Sequence, residues 1–360
     1  MKRPGFASKT AATVFLGVLV VAGAQAAGQL EAMNNEVSAL YERNRDAIVR
    51  IHTQRQAVFP VGPSWRVGTG FFVDAEGHLL TTVAVVESAE KCWIDWRGRQ
   101  VPARVVGQDP LTSLAVLKAL TEEKVPFVTL GNSDELKVGS LLVAIGYPFD
   151  QPSAPAVGFL QGFDIKCGAR TFITSHIRAA CRLQPGQGGG PVFNPRGEVV
   201  GIAVAAHLDD QCYILPINAA AKVFRDILRH GAPQYGWVGL SVTERRTSLE
   251  GGTDGQWEVF IEQVYSNTPA ATAGFREQDV LIRIGSNEVR RAADILNVMF
   301  HRSAGDKLTL TVVRSNTRTQ DIHLVIGRRP AEETAVAAAP TLPPLQPPPL
   351  KMVPVGAPQP

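Results

Sequence analysis

Between Asp46 and Leu215 the chain is cut into short apolar runs by Gly, Pro, Asn and Asp, with few stretches of helical spacing. Phe71-Phe72-Val73, His78-Leu79-Leu80, Cys92 to Trp96, Val101 to Val106, Ser113 to Leu117, Leu141 to Ile145 and Val199 to Val204 each have strand length and strand composition. That density of strands predicts an all-β unit. Two helices frame it. Residues 27 to 44 read as a polar amphipathic lead-in helix, after which Asp46-Ala47-Ile48-Val49-Arg50-Ile51 starts the strand pattern. Ala219 to His230 has apolar residues at Ala221, Val223, Phe224, Ile227 and Leu228, the spacing of a closing helix.

The ends differ from the middle. Lys2, Arg3 and Lys9 precede an apolar run from Ala11 to Ala22 and then Ala24-Gln25-Ala26, the order of a secretory signal peptide with an Ala-X-Ala cleavage site. The run is shorter than the ~20 residues that cross a bilayer, so residues 1–26 are expected to be removed and the mature chain to reside in the periplasm. Those three cations account for the whole formal charge of +3, so the remainder is neutral. A clustered basic excess is what a nucleic-acid footprint needs, and none is present. At the other end, ten prolines from Pro330 to Pro360 and no aromatic residue mark 329–360 as a disordered tail that cannot bury enough apolar area to fold alone. Pro343 to Leu350 favours polyproline II, a stiff spacer.

Four motifs carry the chemistry. They are Gly68-Thr69-Gly70-Phe71-Phe72-Val73-Asp74 running on to Thr81, Asp109 to Lys118, Leu130 to Pro148, and Pro185 to Ile202 with its glycine run Gly186-Gln187-Gly188-Gly189-Gly190. A later region contributes Tyr235 to Val242, Val259 to Val264, Thr268 to Phe275, Asp279 to Ile284 and Leu308 to Val313. In order and spacing these stretches resemble the HtrA family of exported trypsin-like proteases with a C-terminal PDZ domain. The resemblance covers most of residues 45 to 328.

That resemblance implies a mainly β chain: a trypsin-like double β-barrel over 27–230, with two six-stranded barrels flanking a cleft, then one PDZ domain of α+β type over 235–328. Gly231-Ala232-Pro233-Gln234 is the natural boundary. It also implies which positions should hold the triad. The family's Leu-Thr-Asn-X-His-Val-Val is Leu80-Thr81-Thr82-Val83-Ala84-Val85-Val86 here, so Ala84 stands at the general-base position. Ser113 stands at the aspartate position of Asp-Pro-X-X-Asp-Leu, and Gly188 at the serine position of Gly-Asn-Ser-Gly-Gly-Pro. Acyl transfer requires a nucleophile, a base that activates it and a group that orients the base. With Ala84, Ser113 and Gly188 in those places no catalytic residue is assigned, and the expectation is a chain that is not an active protease. Substitutes are poor: His78 lies six residues before the base position, and Ser175 and His176 are neighbours on a strand and face opposite ways.

Four cysteines, Cys92, Cys167, Cys181 and Cys212, permit two disulfides in three pairings in an exported chain. None forms a Cys-X-X-Cys pair, so redox or zinc chemistry is weakly supported. The resemblance puts Cys181 just before the glycine run and Cys212 on the segment bordering the cleft, which favours a bridge between them and leaves Cys92 with Cys167. His207, Asp209 and Asp210 are read as solvent-exposed, and no metal or cofactor is assigned.

A PDZ groove adds an extended C-terminal peptide to a sheet edge and captures its carboxylate with backbone amides. The resemblance places that carboxylate loop at Trp237-Val238-Gly239-Leu240, with Leu240, Val242, Ile295 and Met299 lining the side-chain pockets. Glycines 186 to 190 can still aim amides at a peptide in the barrel cleft. The expected function is an HtrA-like pseudoprotease: an adaptor, chaperone or regulator in envelope protein quality control. Its partners would be unfolded or C-terminal peptides of exported proteins, an active HtrA homologue or further copies of itself. The alternative is an active HtrA-type serine endopeptidase that degrades misfolded periplasmic proteins.

Overall fold

The computed structural model describes residues 31–55, 64–167, 170–207, 210–246, 256–314 and 318–328. The expected signal peptide at 1–26 and the proline-rich tail at 329–360 lie outside the described residues. The lead-in helix is present over residues 31–44 (α1), and Leu40 on it is buried against the barrels.

Twelve strands then form two barrels. The first contains β1 (Ile48–Arg55), β2 (Trp65–Phe72), β3 (His78–Thr82), β4 (Ala89–Trp96), β5 (Arg99–Asp109) and β6 (Leu114–Ala119), closed in the order β1-β2-β3-β6-β5-β4. A single turn, α2 (Val83–Val86), follows β3. The second contains β7 (Leu141–Gly146), β8 (Ala154–Cys167), β9 (Arg170–Ala180), β10 (Pro191–Phe193), β11 (Val199–His207) and β12 (Gln211–Pro216), closed in the order β10-β11-β12-β9-β8-β7. Each barrel has its own core, built for example from Val49, Ile51 and Leu117 in the first and Leu142, Ile177 and Val200 in the second. Alternate residues on a strand face opposite ways, and closure leaves no unpaired edge. A third cluster, with Phe71, Leu80 and Leu114 from one barrel and Ile145, Phe193 and Leu215 from the other, joins the two.

The closing helix α3 (Ile217–His230) lays Ala220, Val223 and Ile227 on that shared cluster and leaves Leu228 exposed. Gly231 ends it at φ 75°, with its amide donating to Ile227 O at 2.9 Å. A left-handed C-terminal glycine of this kind both satisfies a carbonyl and turns the chain away.

The second domain is a sheet of β14 (Leu240–Arg246), β15 (Trp257–Val264), β16 (Val280–Ile284), β18 (Lys307–Arg314) and β19 (Arg318–Val325) in the order β14-β15-β16-β18-β19. Short β17 (Asn287–Glu288) pairs with β16, and β13 (Gly236–Trp237) pairs with β20 (Gly327–Arg328). Two helices, α4 (Pro269–Ala273) and α5 (Ala292–Phe300), cover it. Thr268 caps α4 by accepting from the Ala271 amide, and Gly274 ends it at φ 86°. Among the described residues β14 pairs only with β15, which leaves its other edge open beside α5.

Candidate functional site

Backbone contacts and two threonines link the segments that carry the three positions of interest. The Val83 amide donates to Ser113 O at 2.8 Å, which ties the start of β6 to the turn that carries Ala84. Thr69 on β2 is the knot between barrels: its amide donates to Gly188 O at 3.1 Å, its hydroxyl donates to Gly186 O at 2.7 Å, and its Oγ1 accepts from the Tyr147 amide at 3.0 Å. Thr81 Oγ1 donates to Thr69 O at 2.7 Å. Ala84 is exposed, its carbonyl accepting from the Arg66 guanidinium, while Ser113 and Gly188 are half-buried. The Gly-Thr-Gly of residues 68–70 was visible as a motif, but the role of Thr69 was not, because it depends on a partner over a hundred residues away.

Glycine is needed at most of this loop but not at 188. Gly186 and Gly189 have φ of 95° and 87°, a region that favours glycine. A Cβ at Gly186, Gly189 or Gly190 would lie 2.3–2.4 Å from a backbone oxygen of Tyr147, Thr69 or Ile145 respectively. At Gly188 a Cβ would meet no atom within 4 Å, and its φ is not positive. Among the described residues the amides of Gly186 and Gly188 have no protein acceptor. Gln187 is buried and braces the loop, its Oε1 accepting from the Gln184 amide at 2.8 Å. Beside it Phe149 holds φ 49° and is 61% exposed, with its amide donating to Pro185 O at 2.7 Å.

The substitute residues are engaged elsewhere. His78 Nδ1 lies 2.6 Å from Asp74 Oδ2 and 3.9 Å from Glu76 Oε2, a group of three potential metal donors that the sequence reading did not single out. His176 is fully buried, stacks on Phe172 at 3.8 Å and donates from Nδ1 to Thr174 O at 3.0 Å. Ser175 Oγ accepts from Asn297 Nδ2 at 3.0 Å. His207 closes β11, Asp209 lies outside the described residues, and Asp210 is exposed.

No Sγ–Sγ bond joins any two of the four cysteines in this structure. Cys92 lies on β4 in the first barrel and burial pushes its pKa up to about 12, whereas Cys167 ends β8 in the second barrel and is hydrogen-bonded to Tyr213. The expected leftover pair Cys92 with Cys167 is therefore corrected: the two belong to different barrels and different cores.

In the second domain Gly239 holds φ 79°, and a Cβ there would lie 2.3 Å from Thr268 Cβ, so only glycine fits the turn between Trp237 and Leu240. Val238 is buried in the core; Leu240 and Val242 are half-buried on the open strand. Ile295 is 7% exposed and belongs to the same core, and Met299 packs on it. The accessible wall of α5 is instead Ala292, Ala293 and Leu296, which with Val242, Thr243 and Glu244 of β14 line a cavity of about 860 Å³. The far side of that cavity is the β8–β9 hairpin of the barrel, through Phe163, Lys166 and Thr171. This barrel contribution could not be read from the sequence, since it follows from how the domains dock.

Docking uses both polar and apolar contacts. Asn297 Oδ1 accepts from the Ser175 amide at 2.8 Å and from Thr174 Oγ1 at 3.0 Å. Phe300 is buried within the cluster shared by the barrels. Tyr235, just past the linker, packs on Phe300 at 5.5 Å and donates its hydroxyl to Asp109, which Thr112 also engages. Lys222 of α3 lies 4.4 Å from the Tyr235 ring centre and pairs with Asp226 at 2.8 Å. Burial raises the Asp109 pKa despite these hydrogen bonds, and burial next to Asp109 pushes Tyr235 well above the usual phenol range.

Two family profiles match in this order: a trypsin-like peptidase domain over residues 68–202 and a PDZ domain over residues 236–324. A protein of Hahella chejuensis named as a probable periplasmic serine endoprotease DegP-like is 30% identical over 281 residues, 76% of this chain and 59% of the relative. A relative of the same name from Chlamydia trachomatis is 29% identical over 276 residues, 74% of this chain and 55% of its own length. The chain thus spans somewhat under two thirds of the curated relatives it matches. Among solved structures, the HtrA-type protease AlgW with a tripeptide superposes with a TM-score of 0.69 at 26% identity, covering 82% of this chain and 97% of that one. The serine endoprotease from Yersinia pestis shares the fold, with a TM-score of 0.60 at 20% identity over 82% of this chain and 98% of that one. Fold and site thus define a mainly β protein, a trypsin-like domain followed by a PDZ domain. Within that class the chain is similar to the DegP-like endoproteases and to the HtrA-type protease AlgW.

Proposed function

We propose that this chain is a non-catalytic HtrA-like protein that binds peptides in the envelope, acting as an adaptor, chaperone or regulator in protein quality control. The observation that carries the reading is Gly188. Its neighbours Gly186, Gly189 and Gly190 are required by backbone geometry, whereas Gly188 has room and ordinary φ, so packing does not explain its missing side chain. The frame that gathers positions 84, 113 and 188 is intact, yet Ala84 offers no base and Gly188 no nucleophile. The amides of Gly186 and Gly188 remain available to a peptide carbonyl, which supports holding without cleaving.

Export supports the same reading: the relatives are named periplasmic, residues 1–26 have the order of a signal peptide, and no helix among the described residues is long and apolar enough to cross a membrane. Peptide capture is assigned to the PDZ groove, where the open edge of β14 lies beside α5. The proposed contacts are the turn at Trp237 to Leu240 for a terminal carboxylate and Val242 with Leu296 for apolar side chains. The likeness to a peptide-bound AlgW favours this mode.

A second reading, an active serine endopeptidase, is favoured by the printed names of the relatives. A serine-directed fluorophosphonate separates the two. Intact-mass spectrometry of the purified chain is expected to give no adduct above a heat-denatured control; a stoichiometric adduct would sink the proposal. For the groove, titration of the full chain with peptides ending in apolar residues should give affinities on the order of micromolar, lost on C-terminal amidation. Equal binding of free and amidated peptides would exclude carboxylate capture.

A further inference from the structure

We infer that Cys181 and Cys212 form a disulfide that ties the strand leading into the glycine loop to the neighbouring strand of the second barrel. Three pairings are open on sequence alone, and the fold selects one. Cys212 on β12 stands opposite Ala179 of β9, and Cys181 follows two residues after Ala179. Cys181 lies one residue past the end of β9, and continuing the alternation of that strand puts it on the same face as Ala179, diagonal to Cys212 across the antiparallel pair. Both are buried, at 2% and 0% exposure, in the same cluster of the second barrel with Leu142, Ile177 and Val192. Cys181 Sγ donates to Ala156 O at 3.7 Å, and the proximity of the two thiols lowers the pKa of Cys181 and raises that of Cys212. The other two thiols are not competitors: Cys92 is in the other barrel, and Cys167 sits in a separate cluster with Phe172 and Tyr213.

The chemistry is an exchange of two electrons. The Cys181 and Cys212 thiols lose two protons and two electrons, an Sγ–Sγ bond forms, and the electrons reduce the disulfide of an oxidant to two thiols. Oxidised glutathione or a thiol-disulfide oxidoreductase serves as that oxidant. Because the pair is buried in the folded chain, the bond is made as the barrel folds and is opened by a reductant as the barrel unfolds. It would fix the position of Cys181, from which residues 182–187 run to Gly188, and so pre-order the loop that presents the Gly186 and Gly188 amides.

The test supplies its own oxidant, so its outcome does not depend on where the chain resides or on the reading of Gly188. The full chain is refolded in a glutathione redox buffer, alkylated in denaturant, digested and mapped by mass spectrometry. One linked peptide pair, Cys181 with Cys212, is expected, with Cys92 and Cys167 alkylated. Alkylation of all four, or Cys181 linked to Cys92 or Cys167, would overturn the inference. Thermal melts give a second readout: the bridge closes a loop of about 30 residues, so dithiothreitol should lower Tm by roughly 5–10 °C. The C181S/C212S variant should melt with the reduced chain and be insensitive to dithiothreitol. An equal dithiothreitol effect on that variant would overturn the assignment even if the variant is itself less stable.

Discussion

At Gly188 an added Cβ meets nothing within 4 Å, whereas at Gly189 it would lie 2.3 Å from Thr69 O on a backbone at φ 87°. Two adjacent glycines in one loop therefore report different things, and only the structure tells them apart. Gly188→Ser should leave stability within about 0.5 kcal/mol of the parent, because it adds an atom where there is room. Gly189→Ala should cost at least about 2 kcal/mol, combining a left-handed backbone with a clash against a backbone oxygen. Denaturant unfolding of the two variants checks the contrast. Ser113 also sits in the left-handed region, at φ 63°, where Asp is tolerated better than most residues, so Ser113→Asp is compatible with the local backbone.

At the scale of elements, α5 works in two directions. Ile295 faces the core of its own domain, while Asn297 and Phe300 reach the barrel. Burying a phenylalanine contributes about 1.5–3 kcal/mol, more than either polar contact at this junction. Asn297→Ala removes the partner of Ser175 and Thr174 and should cost about 1–3 kcal/mol, read from unfolding curves, and loosen the docking, read as faster amide exchange in β9. Asp109 gives the junction a pH dependence. Its folded pKa is raised above the unfolded value, so the folded state holds the proton more tightly in the window between them. Its contribution to stability is full below the unfolded pKa near 4 and is lost as pH rises through the folded pKa. Asp109→Asn should flatten that part of the stability–pH profile; an unchanged slope would show that another group sets it.

Over the whole molecule, strand patterning and turn residues were enough to read a β-rich first unit and a closing helix, since alternation and glycine caps are local signals. The PDZ-like region was legible from order and spacing. What depended on docking was not. Ile295, expected with Met299 to form the α5 wall, is a core residue on which Met299 packs, and Ala292, Ala293 and Leu296 line the cavity. Helical spacing cannot say which of two adjacent faces a second domain will cover. The contribution of Phe163 and Lys166, and the knot at Thr69, likewise join residues far apart in the chain. Positions 84, 113 and 188 are assigned only through the resemblance of the residues that frame them.

Absence of protease chemistry is the central claim, and casein turnover by the purified full chain tests it most directly. The assay is run beside the A84H/S113D/G188S variant, in which the three members are restored together because they act as a unit. The parent is predicted to release no peptide above the buffer rate over a prolonged incubation, and any activity is predicted to belong to the restored variant alone. Casein hydrolysis by the parent that is abolished by a serine-directed fluorophosphonate would contradict the claim.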